Sequence, residues 1–306
     1  MHLDYWLFRQ THFNLIYIKM SKTPAIYGLL GFPVSHSLSP AMHNAAFRYL
    51  NINAEYKLFA TKPQDLEKFI TSLEEQNISG INVTVPYKEK VLNFVEIDKG
   101  FFHLKQIKAV NTIIVKNGIL KGFNTDIPGF DRDLVEKNGK PENKRVAILG
   151  AGGASRAVTF VLANTKAKEI AIYDIDKSKS QNIVDLIKSL FPDFPIYAVD
   201  KIEELKIQEK DLLVNTAPIG MKPEDPCLVT EKMLHKNLFV YDLIYNPSET
   251  KLIALARKIG AQTSNGLGML LYQGAIAFEY FTGKAAPVDV MCKALKEGLK
   301  NAGNHK

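Results

Sequence analysis

A short segment in the first third of the chain carries residue types suited to proton transfer. Asn82-Val83-Thr84-Val85-Pro86-Tyr87-Lys88 runs from the end of a predicted strand into a predicted helix over 86–96. Asn82 and Thr84 are two positions apart on the strand and therefore share one face. Lys88 falls in the first helical turn, where a positioned amine can exchange a proton with a bound ligand. The alternative is that Lys88 is one more solvated charge among 33 lysines.

A carboxylate that could pair with this amine follows a predicted hairpin. Asn124-Thr125-Asp126 comes after the second strand of the hairpin and just before the helix that leads into the second half of the chain. One interpretation places the Asp126 carboxylate in a cleft between two domains, close enough to Lys88 to hold the amine and share its proton. The other is that Asp126 only caps the helix N-terminus.

Two hydroxyl groups precede another predicted helix, which spans 40–50. Ser39 is predicted to be its N-cap, and Pro40 suits its first turn. Capping does not account for Ser37, two residues earlier. Two hydroxyls beside a helix N-terminus also form a good cradle for a small carboxylate. Capping alone and carboxylate binding are therefore both open.

A glycine-rich turn between a buried strand and a helix is typical of dinucleotide binding. The strand 145–149 runs into Gly150-Ala151-Gly152-Gly153-Ala154-Ser155, which opens a helix over 154–164. Gly150 permits the tight turn, Gly152 lets backbone amides approach a pyrophosphate, and the helix N-terminus supplies free N–H groups. Ser155 stands where this motif usually has Gly or Ala.

The choice of nicotinamide cofactor depends on the end of the next strand. Asp174 lies there, 24 residues after Gly150, where a carboxylate accepts hydrogen bonds from the ribose hydroxyls of NAD and repels a 2′-phosphate. Asp176 reinforces this preference, although either aspartate could instead cap the following helix. Lys177 and Lys179 are the residues that could bind the 2′-phosphate of NADP. The sequence favours NAD slightly and leaves NADP open.

The elements that must position these groups indicate an α/β protein with two domains. In the first half, strands 26–31, 55–60 and 80–84 alternate with helices 40–50, 63–76 and 86–96, and Asn117-Gly118 joins a hairpin of strands 110–115 and 119–122. In the second half, strands 145–149, 169–173, 211–215 and 239–242 alternate with helices 154–164, 177–190 and 248–259, which predicts a doubly wound Rossmann domain. Two helices, 269–281 and 288–300, end the chain.

Composition excludes several classes of protein. With 306 residues, 46% hydrophobic and 23% charged, the chain is neither a small disulfide scaffold nor disordered. Cys227 and Cys292 stand outside any metal-binding motif, so we expect no metal, and this use of cysteine fits a reducing cytoplasm.

The net charge is +7, but 33 of the 39 basic residues are lysines scattered along the chain, so we expect no nucleic-acid partner. No apolar run suggests a membrane span, and monomer and homodimer are equally compatible with the sequence.

Together these segments resemble the shikimate dehydrogenase family, from Ala25 to about Lys300. The resemblance rests on seven motifs in order: Ser37-Leu38-Ser39-Pro40, Asn82-Val83-Thr84-Val85-Pro86-Tyr87-Lys88, Ala109-Val110-Asn111-Thr112, Asn124-Thr125-Asp126, Gly150-Ala151-Gly152-Gly153-Ala154-Ser155, Asp242-Leu243-Ile244-Tyr245-Asn246-Pro247 and Asn265-Gly266-Leu267-Gly268-Met269-Leu270.

The resemblance implies the reversible reduction of 3-dehydroshikimate to shikimate by a nicotinamide cofactor, a step of the chorismate route to aromatic amino acids. Lys88 and Asp126 would form the catalytic pair, and Ser37 and Ser39 would hold the substrate carboxylate. The other residues contacting the carboxylate or ring hydroxyls would be Thr84, Asn111, Asp126, Tyr245 and Gln273. The nicotinamide end would be lined by Asn215, Thr216, Leu243 and Gly266.

The resemblance also implies a domain division. Residues 20–126 and 266–306 would form the substrate-binding catalytic domain, with the C-terminal helices packed back onto it, and residues 127–265 the NAD(P)-binding domain. Residues 1–19 would be a peripheral extension, on which we place no function.

Two positions depart from the family. Asp174-Ile175-Asp176 replaces an Asn-Arg-Thr stretch of many NADP-using members and is similar to the NAD-preferring quinate/shikimate dehydrogenases. Lys108 replaces a commonly small residue, which the sequence does not explain. Two alternatives follow: an NAD-dependent quinate/shikimate dehydrogenase, and a nicotinamide-binding sensor without turnover. Retention of Lys88, Asp126 and Gln273 argues against the sensor, because a pure binder needs no positioned proton donor.

Overall fold

The first half of the chain forms a five-stranded mixed sheet in the computed structural model, which describes residues 23–97 and 107–303. The predicted extension 1–19 lies outside these residues. The strands are β1 (Ala25–Gly31), β2 (Ala54–Ala60), β3 (Ile78–Val83), β4 (Thr112–Lys116) and β5 (Ile119–Phe123), in the order β2-β1-β3-β4-β5. The first three are parallel, and β4 and β5 form an antiparallel hairpin. Asn117 and Gly118 turn that hairpin with positive φ angles, as predicted.

Within residues 23–97 and 107–303, three helices follow strands of this sheet along the chain. They are α1 (Ser39–Tyr49), α2 (Leu66–Thr71) and α3 (Asp126–Glu136), the last of which leads to the second sheet. The predicted helix over 63–76 is shorter than expected and is preceded by a 3₁₀ turn, Pro63–Asp65. The hydroxyls of Thr71 and Ser72 donate to backbone carbonyls four residues back, which favours the end of a helix there.

The second sheet has six parallel strands in a doubly wound order. They are β6 (Arg145–Leu149), β7 (Glu169–Tyr173), β8 (Ile196–Val199), β9 (Leu212–Asn215), β10 (Phe239–Asp242) and β11 (Gln262–Asn265), arranged β8-β7-β6-β9-β10-β11. The accompanying helices are α4 (Gly153–Asn164), α5 (Lys177–Leu190) and α6 (Lys251–Lys258). The order reverses between β6 and β9, where the carboxyl ends of the strands open a ligand crevice. This confirms the predicted Rossmann architecture.

The last two helices return to the first sheet. They are α7 (Leu267–Thr282) and α8 (Val288–Gly303). Phe278 and Met291 pack with Met42 and Phe47 of α1 in one buried cluster, and α7 also lies along α3. The prediction that the C-terminal helices pack back on the first domain is confirmed.

The predicted helix over 86–96 is wrong. Thr84 to Tyr87 form a turn closed by the Tyr87 N–H donating to Thr84 O (2.9 Å), and only Lys90–Phe94 form a short 3₁₀ helix. The Lys88 carbonyl accepts from the Val110 N–H at 2.9 Å, so this residue is fixed at the edge of the sheet instead of in a helix. The cause is a long-range hydrogen bond that a local sequence pattern does not contain.

Two short strands, β8 and β11, were not predicted. The residues of β11, Gln262-Thr263-Ser264-Asn265, are all polar, so they give no hydrophobic pattern. The backbone of Lys108 has a φ of 53°, in the left-handed region that favours glycine. This conformation accounts for a small residue at the position, and nothing in the structure explains the lysine. Among residues 23–97 and 107–303, none of the helices combines the length and apolar character needed to cross a bilayer.

Candidate active site

Lys88 and Asp126 form an ion pair between the first sheet and the start of α3. The Nζ atom of Lys88 lies 2.7 Å from Oδ2 of Asp126, and the two side chains are only 15% and 9% exposed. A pair this sheltered is weakly screened by solvent. The structure therefore brings together the two side chains that the sequence predicted as the proton-transferring pair.

Asp126 does not cap α3; Asn124 does. The Asn124 Oδ1 atom accepts from the backbone N–H groups of Asp126 (2.9 Å) and Ile127 (3.2 Å), while its Nδ2 donates to Ala109 O (2.9 Å). The alternative interpretation of Asp126 as a cap is thus wrong. Its carboxylate is free to face Lys88, in the first turn of a helix where a negative charge is favoured.

A buried hydrogen-bond network lies beside this pair. The Asn111 Oδ1 atom accepts from the Thr125 N–H at 2.7 Å, and its Nδ2 donates to Thr125 Oγ1 at 3.0 Å. Thr125 Oγ1 in turn lies 3.5 Å from Gln273 Oε1 on α7. Asn111 and Gln273, two predicted substrate contacts, are thereby linked through a residue next to Asp126.

The sequence missed the continuation of this network into the first sheet. The Tyr56 hydroxyl donates to Asn82 Oδ1 at 2.8 Å, and Asn82 Nδ2 donates to Thr112 Oγ1 at 3.0 Å. Thr112 Oγ1 donates to Asn111 Oδ1 at 3.0 Å. A polar chain therefore runs from β2 to the end of β5 and fixes the Asn111 amide. The only sequence signal for this network was the polar Asn82 on one face of β3. Tyr56 gave no signal, because tyrosine is common in strands.

Ser37 and Ser39 lie together at the start of α1. Their hydroxyl oxygens are 3.2 Å apart, and Ser37 Oγ also accepts from the Ser39 N–H at 3.2 Å. Ser39 is the first residue of α1, with Leu38 at the N-cap position and no side-chain cap bond. The prediction of Ser39 as N-cap is wrong. Ser39 is already helical, and its own N–H donates to Ser37 Oγ. Two adjacent hydroxyls beside a helix N-terminus suit a carboxylate.

Thr84 and Tyr245 complete the predicted substrate set. Thr84, just after β3, is half-buried, and its N–H donates to Leu30 O at 2.8 Å. Tyr245 follows β10 and is also half-buried. Burial raises the pKa of the Tyr245 hydroxyl, which keeps it neutral and able to donate a hydrogen bond.

The glycine turn fits a pyrophosphate. Gly150 has a φ of 94°, and a Cβ there would lie 2.6 Å from Ala217 N, so only glycine fits. Gly152 has nothing within 4 Å of a Cβ position, which leaves its face open to a ligand. The start of α4 has neither a side-chain cap bond nor an acidic residue, so backbone N–H groups are available to an anion. A Cβ on Gly153 would lie 4.0 Å from Lys88 Cδ, which places the turn beside the ion pair.

Ser155 does not contribute to this open face. Its side chain is fully buried, and its hydroxyl has no hydrogen-bond partner within the described residues. Its N–H donates to Gly152 O at 3.1 Å. The buried Ser155 side chain does not fit the predicted cofactor contact. Ala151 lies in the turn, and Ala154 is the second residue of α4.

The acidic residues after β7 are held by backbone amides. Asp174 Oδ2 accepts from the Ala151 N–H at 2.6 Å, and its Oδ1 accepts from the Asp176 N–H at 2.9 Å. Asp174 thus ties the glycine turn to β7. Asp176 caps α5 by accepting from the Ser178 backbone N–H. The Ser178 hydroxyl donates to the same oxygen, and this bond is the main cause that lowers the pKa of Asp176. The capping interpretation therefore holds for Asp176.

Both lysines that could bind a 2′-phosphate already have acidic partners. Lys177 Nζ lies 2.7 Å from Asp200, and Lys179 Nζ lies 3.7 Å from Asp176. These pairs are exposed and therefore weak. A cofactor phosphate would nevertheless have to compete with them.

The predicted nicotinamide end is built around Asp242, which the sequence did not single out as a site residue. Asp242 is fully buried; Oδ1 accepts from Asn215 Nδ2 at 2.9 Å and Oδ2 from Thr250 Oγ1 at 2.6 Å. Burial raises its pKa.

Thr216 Oγ1 donates to Gly150 O at 2.8 Å. A Cβ on Gly266 would lie 2.0 Å from Leu243 O, so these two predicted residues are in direct contact.

A doubly wound sheet with an open glycine turn, next to a sheltered Lys–Asp pair on a second domain, defines the class: a two-domain nicotinamide-dependent oxidoreductase. Within the described residues, no group of three or more His, Cys, Asp or Glu side chains could hold a metal ion.

Comparison with known proteins identifies the family. Residues 29–113 match the shikimate dehydrogenase substrate binding domain, and residues 266–296 match the shikimate 5'-dehydrogenase C-terminal domain. The shikimate dehydrogenase (NADP(+)) of Methanopyrus kandleri is 43% identical over 283 residues, covering 90% of this chain and 96% of the relative. The chain belongs to the shikimate dehydrogenase family.

Two solved structures are also similar. Shikimate 5-dehydrogenase from Listeria monocytogenes, in complex with shikimate and NAD, has a TM-score of 0.80 and 33% identity, covering 92% of this chain and 100% of that one. Quinate dehydrogenase from Corynebacterium glutamicum, in complex with NAD, has a TM-score of 0.82 and 29% identity, covering 90% and 99%.

Proposed function

We propose that this protein catalyses the reversible reduction of 3-dehydroshikimate to shikimate with a nicotinamide cofactor, as a step towards aromatic amino acids. The observation that carries this proposal is the 2.7 Å contact between Lys88 and Asp126, beside the glycine turn. Membership of the shikimate dehydrogenase family supports it. In this proposal, residues 20–126 and 266–306 bind the substrate and residues 127–265 bind the cofactor.

The chemistry is divided between cofactor and protein. A nicotinamide cofactor held at the glycine turn would supply the hydride for the ketone carbon. Lys88 donates a proton from Nζ to the oxygen of the same carbonyl, so that the ketone becomes a secondary alcohol. In the opposite direction the neutral amine accepts that proton. Asp126 orients the amine and balances its charge.

The remaining substrate contacts in this proposal are those that the family resemblance implies. The paired hydroxyls of Ser37 and Ser39, at the N-terminus of α1, hold the substrate carboxylate. Asn111 and Gln273, linked through Thr125, contact ring hydroxyls. Thr84 and Tyr245 also contact the carboxylate or the ring hydroxyls.

We further propose that the protein prefers NAD, as a quinate/shikimate dehydrogenase would. The supporting observation is the placement of Asp174, whose two oxygens are each oriented by a backbone N–H. Each oxygen keeps acceptor capacity for a ribose hydroxyl, and the carboxylate repels a 2′-phosphate. Lys177 and Lys179 are paired with carboxylates. The NADP(+) in the name of the Methanopyrus kandleri relative makes NADP the competing choice.

The test is initial-rate turnover of shikimate and quinate, with NAD and NADP at equal concentration. We expect oxidation of shikimate with NAD faster than with NADP. A strong NADP preference would contradict the role of Asp174 and indicate that Lys177 or Lys179 binds the phosphate. Turnover of both substrates with NAD would indicate the quinate/shikimate branch. Absence of turnover with every pair would favour a nicotinamide-binding sensor.

A further inference from the structure

The residue after Lys88 forms a second ion pair, with the cofactor-binding helix. Arg156 Nη2 of α4 lies 3.2 Å from Glu89 Oε1, and the side chains are 15% and 51% exposed. Glu89 belongs to the same turn as Lys88, and Arg156 is the fourth residue of the helix that the glycine turn opens. This contact therefore joins the turn carrying the proton donor to the helix that would bind the cofactor.

The charges at this point complement each other across the two segments. A helix N-terminus carries partial positive charge, so an arginine in its first turn is unfavourable and a carboxylate nearby is favourable. The first turn of α4 has no acidic residue of its own. Glu89 supplies that carboxylate from the Lys88 turn and neutralises Arg156.

Two other polar contacts of the Lys88 turn lead away from α4. The Lys88 carbonyl is bonded to Val110 in the first domain, and the Lys88 amine is paired with Asp126 at the start of α3. Of these three attachments, the Glu89–Arg156 pair alone reaches α4. Partly exposed ion pairs add little to the free energy of unfolding. We therefore look for the effect of this pair in the relative position of the Lys88 turn and α4.

We propose that Glu89 and Arg156 are positioning residues that set the separation between the Lys88 amine and the glycine turn. The inference rests on the proposed function. Hydride donor and proton donor must address the same carbonyl group, and an error of about 1 Å in such an arrangement can cost about a hundredfold in rate. The pair holds the two segments in register while leaving the ion pair of Lys88 and Asp126 intact.

The two partners have different effects on cofactor binding. Without Arg156, the Glu89 carboxylate faces the helix N-terminus that receives the pyrophosphate, and it repels that anion. Without Glu89, Arg156 adds an unpaired cation at the same end. Arg156→Gln therefore weakens cofactor binding, whereas Glu89→Gln leaves it unchanged or tighter. Both substitutions slow hydride transfer.

The experiment uses the full chain with Glu89→Gln, Arg156→Gln, the double variant and the exchanged pair Glu89→Arg with Arg156→Glu. The matched control is Arg257→Gln with Glu249→Gln, which breaks an Arg–Glu pair of 2.7 Å within the second domain. Single-turnover hydride transfer is followed by nicotinamide absorbance, and the Kd of NAD by calorimetry. Amide hydrogen exchange of 84–91 and 150–157 is measured on the protein without cofactor.

We expect each Gln variant to slow hydride transfer about tenfold, the double variant to be no slower than the slower single variant, and the exchanged pair to recover most of the rate. Exchange should rise in both segments in each Gln variant, with the control unchanged. Wild-type rates, additive losses or unaltered exchange would overturn the inference. If the wild type turned over no substrate, the proposed function would fail, and exchange would still decide whether the pair joins the two segments.

Discussion

Gly129 of α3 lies directly against Gln273 of α7. A Cβ on Gly129 would be 2.7 Å from the backbone nitrogen of Gln273 and 2.9 Å from its Cα, so the two helices lie backbone against backbone at the residue whose side chain reaches Thr125. The first prediction follows. Gly129→Ala pushes α7 away, which we expect to lower the free energy of unfolding by about 1–3 kcal/mol and to raise the KM for shikimate. Urea unfolding and initial rates check both effects.

Gly298 in α8 is the control for this substitution. A Cβ there would lie 3.2 Å from Cδ2 of the buried Leu38 side chain and would meet no backbone atom of another element. Gly298→Ala should leave the KM unchanged and alter stability by no more than about 1 kcal/mol, the difference in helix propensity. Equal KM values for Gly129→Ala and the wild type would show that the crossing does not position Gln273.

Removal of the proton donor should separate chemistry from binding. We expect Lys88→Ala to reduce kcat by about 10²- to 10⁴-fold, the usual contribution of general acid–base catalysis. The Kd for shikimate, measured by calorimetry, should change far less, since Ser37, Ser39 and Gln273 still bind the substrate. Lys90→Ala is the matched control, because Lys90 is an exposed lysine two residues away. Full turnover by Lys88→Ala would contradict the assigned mechanism.

His43 should make stability depend on pH. Its ring is fully buried and stacked on Tyr56 with centroids 4.3 Å apart, and burial lowers its pKa from 6.5 to about 3. Between these two values the unfolded chain binds a proton that the folded protein does not. Above pH 6.5 His43 therefore has no effect on the pH dependence of stability. As the pH falls below 6.5, the free energy of unfolding decreases by about 1.4 kcal/mol per pH unit because of this residue.

Urea unfolding between pH 7 and 4 tests this slope, with each pH compared against the variant His43→Leu. The variant should lose the His43 share of the pH dependence, although it removes one ring from the stack. His36→Leu, at an exposed position, should leave the slope unaltered. Identical slopes for the wild type and His43→Leu would show that His43 is not a buried neutral imidazole.

Sequence reasoning predicted the parts of this site that depend on neighbouring residues. The strand, the glycine turn at Gly150 and the carboxylate of Asp174 form one local unit, so their spacing in the sequence was enough to predict a dinucleotide-binding turn. Lys88 and Asp126 were recognised by residue type and family resemblance, and the structure supplied their distance. The helix expected around Lys88 failed because Val110, over twenty residues away in the chain, takes its carbonyl.

The remaining differences have equally specific causes. Asn124 and Asp126 are both good capping residues, so the sequence did not tell which one caps α3 and which one faces Lys88. Tyr56 and Asp242 act through buried hydrogen bonds to residues distant in sequence. The Glu89–Arg156 contact joins two segments that no local pattern relates.

Asp174 offers the last prediction, on cofactor choice. In Asp174→Asn the charge is lost, and an amide nitrogen replaces one of the two oxygens that accept from Ala151 and Asp176. Binding of the ribose hydroxyls of NAD weakens, and repulsion of a 2′-phosphate ends. We expect the ratio of kcat/KM for NAD over NADP to fall about tenfold, equivalent to about 1.4 kcal/mol. Asp185→Asn, at an exposed position on α5, is the control and should keep the wild-type ratio. An unchanged ratio in Asp174→Asn would mean that Asp174 only fastens the glycine turn, and that cofactor choice depends on Lys177 and Lys179.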